Sequence, residues 1–532
     1  NNDKGTKQVT FSKDDANNSD KPQPKQAATP KRQPKRVKQT HPENGKIKTP
    51  CIDQLASQGM RFDAAFLTCS SCSPSRCSIM TGRYPHSTGA GELHQPLPAN
   101  QTTFAALLRE AGYYTASAGK WHLGNPARSG FDRIEGGRPS GCEKWVDVVR
   151  ERPRDKPFFF WFAASDAHRS YQPGAVDPPH KPADVTVPPF LPDLPATRGD
   201  LALYYDEVSR LDSYVGKVMA ELSSQDVDQN TLVIYMSDNG RPFPRSKTTL
   251  YDSGVQTPFV ARWPQVIQPG SVNKTLISSV DIAPTLLELA GLELPDSFQG
   301  HSLQPTLKDP AIEVRDHVIA EHNWHDYSAY KRSVRTRKHL YIYNGYPQFP
   351  GTPPADAVRS PTYVLMQRMR DAGTLQPHQW DCFISPRPAE ELYDVEADPY
   401  SLKNLASDPG RRKLLASLQG QLKQWQIATA DAPAGLPRPD GFHREAGTRI
   451  KLPEPLTAAD PLPVIPTIDR HIPPAGIEVP AEQLDGLVSS LQQIQQGLDE
   501  HRDNENYADG AVFTKAVAWA IKLGEFYKPA DL

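Results

Sequence analysis

Cysteine is scarce in this 532-residue chain. Cys51, Cys69, Cys72, Cys77, Cys142 and Cys382 are too few for a disulfide scaffold, and no CxxC…CxxC pair completes a zinc spacing. Long apolar runs are missing too: none approaches the roughly 18 residues a spanning helix needs, so no membrane span is expected. Nor does the sequence open on the apolar core of an export signal, and the expectation is a soluble chain whose signal is already absent. An excess of one charge is also lacking. Sixty Lys and Arg against 62 Asp and Glu leave a net charge of -2, which argues against a globally basic nucleic-acid binder. Glycine, at 34, is ordinary, whereas 53 prolines are about twice the usual share of ~5% and limit regular structure wherever they fall.

The prolines mark the ends of the chain. Residues 1–45 form an atypical N-terminal segment, expected to be disordered, in which Pro22, Pro24, Pro30, Pro34 and Pro42 alternate with Lys and Arg. It reads either as a solvated tail or as a basic arm for an acidic polymer. Residues 46–310 read as a catalytic domain, 311–430 as a C-terminal subdomain, 431–475 as a proline-rich linker and 476–532 as a helical appendage. Within the first domain, Phe158–Ala163 and Leu232–Met236 are continuous apolar runs, as expected of strands buried on both faces. Between them, Leu203, Val208, Leu211, Val215, Val218 and Leu222 recur at mostly helical spacing. Strands alternating with helices predict an α/β domain with a large, mostly parallel sheet flanked by helices. Reactive groups in such sheets gather past the carboxyl ends of strands, where Asp166 and His168 follow one run and Asp238 and Asn239 the other.

Three cysteines, Cys69, Cys72 and Cys77, crowd around one segment, Ser71-Cys72-Ser73-Pro74-Ser75-Arg76-Cys77 leading to Thr81-Gly82-Arg83. Proline in a first turn and glycine past the end punctuate a short helix, which puts Cys72 at its positive N-terminus with Arg76 one turn on. A thiol there is acidified, and the place suits an anion. The other five cysteines read as buried structural residues.

Cys72-Ser73-Pro74-Ser75-Arg76 with Thr81-Gly82-Arg83 resembles the signature of the type I sulfatases, whose cysteine is oxidised to formylglycine. The resemblance runs from about Ile47 to Ala430 and includes Gly119-Lys120-Trp121-His122-Leu123-Gly124, Ser237-Asp238-Asn239-Gly240 and Glu391-Leu392-Tyr393-Asp394. Gly91-Glu92-Leu93-His94, Asp166-Ala167-His168-Arg169 and Val187-Pro188-Pro189-Phe190-Leu191-Pro192 look most like the sulfamidase branch. It implies an alkaline-phosphatase-like α/β sandwich with a smaller C-terminal α+β subdomain. The implied activity is release of N- or O-sulfate from sulfated sugars of the glycosaminoglycan type. The implied partners are the sulfated saccharide and a formylglycine-generating maturation enzyme, with no nucleic acid; a homodimer is one assembly it allows, and a periplasmic or secreted location follows.

Carried over by position, Cys72 becomes the formylglycine, whose hydrate attacks sulfur and later expels sulfate. Asp238 and Asn239 would be Ca2+ ligands together with residue 72, and Asp238 could also take the diol proton. Arg76 and Lys120 would hold the formylglycine and the sulfate, His122 would serve the elimination, His168 would protonate the leaving group, and Lys247 would bind sulfate. The sulfamidase branch carries arginine at the Lys247 position, so Lys247 follows the wider family and keeps the charge without the bidentate fork.

Sulfatases begin with an apolar strand ending in two aspartates that also bind calcium, and the nearest match is Val9-Thr10-Phe11-Ser12-Lys13-Asp14-Asp15. Asp14 and Asp15 are thus the remaining candidate ligands, although a central strand is normally a continuous apolar run. The alternative is that this stretch does not supply that strand. Glu321 to Tyr327 is a polar and aromatic cluster in which His322 and His325 suit a sugar ring, as does Arg169; the alternative is an ordinary loop with Trp324 buried. Asp63, Asp252, Asp281 and His86 read as surface or turn residues. Two rival functions share these features: a phosphomonoester or phosphonate hydrolase of the same superfamily, and a metal-poor sulfated-glycan-binding protein.

Overall fold

The structure, a computed structural model, describes residues 46–450, 477–501, 507–523 and 526. Residues 46–450 carry the strands. These are β1 (Met60–Phe62), β2 (Ala65–Phe66), β3 (Tyr114–Gly119), β4 (Arg133–Glu135), β5 (Phe158–Ala163), β6 (Val233–Met236) and β7 (Phe259–Arg262). They continue with β8 (Ser271–Asn273), β9 (Ile277–Ser278), β10 (His317–His322), β11 (Lys331–Thr336), β12 (His339–Asn344) and β13 (Glu390–Asp394). One sheet, in the order β4-β3-β5, is wholly parallel, with Tyr114 opposite Phe158 and Gly119 opposite Ala163. Another, β6-β7-β1-β8, is mixed: β7 runs antiparallel to both neighbours and β8 parallel to β1. Helices flank both, and an antiparallel sheet, β10-β11-β12-β13, packs against the helix Arg412–Thr429. The α/β sandwich with a smaller α+β part expected from the sequence is therefore the observed fold.

Two helices position the first half of the site. α1 (Pro50–Gln58) starts on Pro50, and its first free N–H groups, of Cys51 and Ile52, donate to the buried Asp212 carboxylate at 3.1 and 2.7 Å. A side chain from the long helix Pro195–Ser224 thus satisfies the donors that a helix start leaves orphaned. α2 (Cys72–Thr81) is buried along its whole length and ends at Gly82, with φ +62°, where a Cβ would come within 2.9 Å of Phe298. Glycine is the residue that this left-handed, crowded position tolerates.

β5 and β6 depart from expectation. Their apolar runs predicted burial on both faces, yet nearly all their residues are half-buried. Each is the last strand of its sheet among the described residues, and every residue of both lines one cavity of about 990 Å³. Leu55, Ile79 and Val208 complete its apolar walls, and its lining includes Arg76, Lys120 and Asp238. Among the described residues, the aromatic payload of Phe158 to Phe162 is therefore only partly covered.

Three other readings change. Asp252 is buried and accepts from Nε and Nη2 of Arg335 at 3.0 and 2.9 Å. Asp281 is fully buried, completes a capping box with Ser278 and pairs with Arg315. His86 is partly buried with Nδ1 2.6 Å from Glu321, so of the four residues read as surface or turn only Asp63, beside Arg61, behaves so. Residues 431–450, expected to begin a linker, are docked. Asp431 pairs with Arg332, Gly441 N donates to Asp326 O, and Phe442 bridges to Arg449.

The described part of the second unit holds two helices, Ala481–Asp499 and Tyr507–Leu523; Ile494, Phe513 and Trp519 on them are exposed. No helix among the described residues is long and apolar enough to cross a membrane.

Candidate active site

Cys72 sits at the first position of α2 because Ser71 is extended and the chain turns helical at once. Ser71 Oγ lies 2.7 Å from His325 Nδ1 and leaves the α2 N-terminus uncapped by its own side chain. Burial pushes the Cys72 thiol up, but Lys120, Lys247 and a bond from His122 outweigh it and carry it well below the usual thiol range. As a thiol, Sγ donates to Asn239 Oδ1 at 3.1 Å; as the thiolate these cations favour, it accepts from them instead. Its sulfur marks where the oxygens of an oxidised residue 72 would stand.

Arg76, one turn along α2 and almost wholly buried, ties the strand ends together. Its Nε donates to Asp238 Oδ2 and its Nη1 to the carbonyl of Lys120, each at 2.6 Å. The residues just past β3 and β6 are thereby held against α2. Burial pushes the Asp238 carboxyl up, but Arg76, Lys120 and Lys247 hold it below the usual carboxylate range, so it stays charged. Gly119, at the end of β3 with φ +99°, permits this convergence, since a Cβ there would strike the carbonyls of Ala163 and Gly141.

Lys247 is also buried. Burial disfavours its charge, yet Cys72, Asp356 and Asp238 raise its pKa, so it remains an ammonium. His122 Nε2 lies 2.8 Å from His94 Nδ1. Burial and His122 lower His94, which keeps that partner neutral. His94, His122 and Thr248 all have positive φ, at 67°, 54° and 66°. Such left-handed backbone in non-glycine residues costs energy and concentrates at functional sites.

The structure thus brings Cys72, Arg76, Lys120, His122, Lys247, Asp238 and Asn239 into one cluster, with His325 against its edge. His168 is more exposed, with Nδ1 2.7 Å from Arg169 O and Nε2 3.7 Å from Asp356 Oδ2. His322 is buried, and burial with Lys331 and Arg332 lowers it to about 3. Burial and Lys247 lower His325 as well, so both remain neutral. Arg169 does not face a ligand. Its guanidinium is spent on Asp200, at 2.7 and 2.8 Å, on Pro242 O, and on the faces of Tyr171 and Phe243. That buried, fully paired position corrects its reading as a sugar contact. Trp324 is half-buried, donating to Pro439 O and covered by Arg438. Asp14 and Asp15 lie outside the described residues.

Asp238 and Asn239 offer hard oxygens of the kind calcium takes, beside residue 72, and a calcium site uses six to eight such atoms. Their chemistry fits that ion. Among the described residues, His86, Glu321 and Asp431 converge more tightly, but Arg332 already neutralises Asp431 and His86 bonds Glu321. That trio is a satisfied charge cluster.

The sequence carried no role for His94, Ser71 or Asp356. Gly91-Glu92-Leu93-His94 stood out as a stretch, but the left-handed turn that aims His94 at His122 has no local signature. Asp356 lies 188 positions from His168, and only the fold joins them.

A nucleophile position at a helix start, ringed by cations and flanked by hard-oxygen side chains just past the end of β6, suits a hydrolase for tetrahedral anions. Comparison with known proteins makes this specific. The sulfatase family model matches residues 37–139 and 141–292, and the model for the C-terminal region of N-sulphoglucosamine sulphohydrolase matches 245–345. Human N-sulphoglucosamine sulphohydrolase is 32% identical over 451 residues, covering 74% of this chain and 89% of that protein. An ulvan-active sulfatase of Formosa agariphila is 29% identical over 446 residues, covering 74% and 72%. A structure solved in complex with its substrate D-glucosamine-2-N,6-O-disulfate superposes with a TM-score of 0.55 at 20% identity, covering 73% of this chain and 94% of that one, and bears on the fold alone. The chain belongs to the sulfatase family, with the C-terminal region of the N-sulphoglucosamine sulphohydrolase type.

Proposed function

We propose that the chain, once matured, releases sulfate from the N-sulfated glucosamine of heparan-type saccharides, with O-sulfated sugars as the close rival. The observation that carries this is the Cys72 position itself, where Lys120, Lys247 and His122 overcome the cost of burial and favour negative charge. Converted to formylglycine by a maturation enzyme, residue 72 would supply a geminal diol as nucleophile, and a calcium ion held by Asp238 and Asn239 would offset charge on that group and on the sulfate.

The chain's own residues divide the remaining work. Lys120 and Lys247 bind sulfate oxygens with the positive charge they already direct at the Cys72 position. Arg76 orients Asp238 and the Lys120 carbonyl. His168, the exposed member, stands where a leaving group exits and gives it a proton. His122, backed by the neutral His94, accepts the proton of the group that expels sulfate. His325 and His322 line the wall beyond Ser71, where a sugar ring would rest. The same reading places the protein in the periplasm or outside the cell.

The test is sulfate release from N-sulfoglucosamine at a defined saccharide end, by the protein co-expressed with a formylglycine-generating enzyme. Turnover is expected, and Cys72→Ala is expected to abolish it. Full release by Cys72→Ala, or a phosphate monoester hydrolysed faster than the sulfated sugar, would overturn the proposal.

A further inference from the structure

Asp356 is the one carboxylate beside His168 that the mechanism above leaves idle. It opens a single helical turn, Ala355–Val358, whose first N–H donates to Asp326 Oδ2 at 2.7 Å. That bond fixes the backbone that carries Asp356. One of its oxygens, Oδ1, accepts from Ala357 N at 2.7 Å. The other, Oδ2, is buried with no hydrogen-bond partner and lies 3.7 Å from His168 Nε2. A buried, unpartnered carboxylate oxygen costs free energy unless a donor arrives.

The donor is not His168 alone. Its Nδ1 is 2.7 Å from a carbonyl oxygen, Arg169 O, which can only accept, so Nδ1 carries hydrogen and Nε2 is the atom free to exchange a proton. Nε2 and Asp356 Oδ2 are 3.7 Å apart, so one nitrogen placed beside the pair lies within hydrogen-bond distance of both. Lys247, a cation near enough to be felt by the same carboxylate, belongs to the cluster around Cys72.

We infer that Asp356 is a specificity-determining residue that accepts the N–H of a sulfamate leaving group, so that the site favours N-sulfate over O-sulfate. In the N-sulfate reaction the nucleophile at residue 72 bonds to sulfur, the S–N bond breaks and its electron pair stays on nitrogen. His168 Nε2 gives its proton to that pair, and Asp356 Oδ2 holds the hydrogen nitrogen already carries, without taking it. The product is a neutral amine bonded to both side chains. An O-sulfate leaves as an oxygen with no hydrogen to offer, and its lone pairs face the carboxylate. A site built around a substrate N–H discriminates strongly against an analogue lacking it, because its own polar group is left unpaired.

This inference rests on the proposed sulfatase activity, and two measurements separate them. In the first, kcat/KM is compared for N-sulfoglucosamine and glucosamine 6-O-sulfate, for the matured wild type and Asp356→Asn. The preference for N-sulfate is expected to fall about tenfold to a hundredfold in the variant; an equal loss on both substrates would overturn the inference and leave the sulfatase reading intact. In the second, which needs no turnover, binding of glucosamine and of glucose is titrated calorimetrically. Wild type is expected to bind the amine at least about tenfold more tightly, and Asp356→Asn to lose that margin. Equal binding of the two sugars by wild type would overturn the inference, and thermal melting of the variant confirms that it is folded.

Discussion

On one side of Cys72, α2, Lys120, His122 and Lys247 form a closed unit: the helix is buried throughout and Lys247 keeps its charge in a buried place. On the other side, β5 and β6 carry the strongest apolar runs of the catalytic region yet stand half-exposed around a cavity of about 990 Å³. The cation side meets its needs from within the described residues. The strand side supplies Asp238 and Asn239 and leaves two sheet edges facing each other. The cations and the hard-oxygen pair are thus set among differently packed surroundings. Arg76 is the link, bonded to Lys120 O and to Asp238.

The comparison makes unequal demands on the two sides. Removing a fixed cation should have the largest effect: Lys247→Ala is expected to lower kcat/KM on the sulfated saccharide about 10²–10³-fold, as for loss of one oxyanion donor. A loss below tenfold would break the comparison on the cation side. On the strand side, stability is the measure. Phe62 in β1 is wholly buried and packs edge-on against Phe259, so Phe62→Ala should cost about 3–5 kcal/mol in urea unfolding. Phe160 in β5 lines the cavity and is half-buried among the described residues, so Phe160→Ala should cost less than Phe62→Ala, about 1–2 kcal/mol. Equal costs would show that β5 is covered as tightly as β1.

Much of this was legible in the sequence where the cause was local. Pro74 and Gly82 bracketed α2, and the observed helix ends on the left-handed glycine. The runs at Phe158 and Leu232 marked true strands; Asp238 and Asn239 after the second joined the cluster, whereas Asp166 after the first is taken by Arg210. What the sequence hid were pairings between distant segments. Arg169 looked available until Asp200, 31 positions on, took its guanidinium. Asp252 and Asp281 looked like turn residues until Arg335 and Arg315 buried them. The prolines after residue 431 suggested a linker, but Asp431 and Gly441 dock on residues about a hundred positions earlier. Burial of the two apolar strands was overestimated for a related reason: an apolar run shows what a strand can bury, and only the neighbouring strand decides whether it does.

The central claim is that residue 72 is the modified nucleophile of a sulfatase. The most direct test is the mass of the peptide carrying residue 72, taken from protein co-expressed with a formylglycine-generating enzyme and probed with an aldehyde-reactive hydrazide. The account predicts loss of the thiol and capture by the hydrazide at that residue. An intact, alkylatable Cys72 thiol in protein that nevertheless releases sulfate would contradict it.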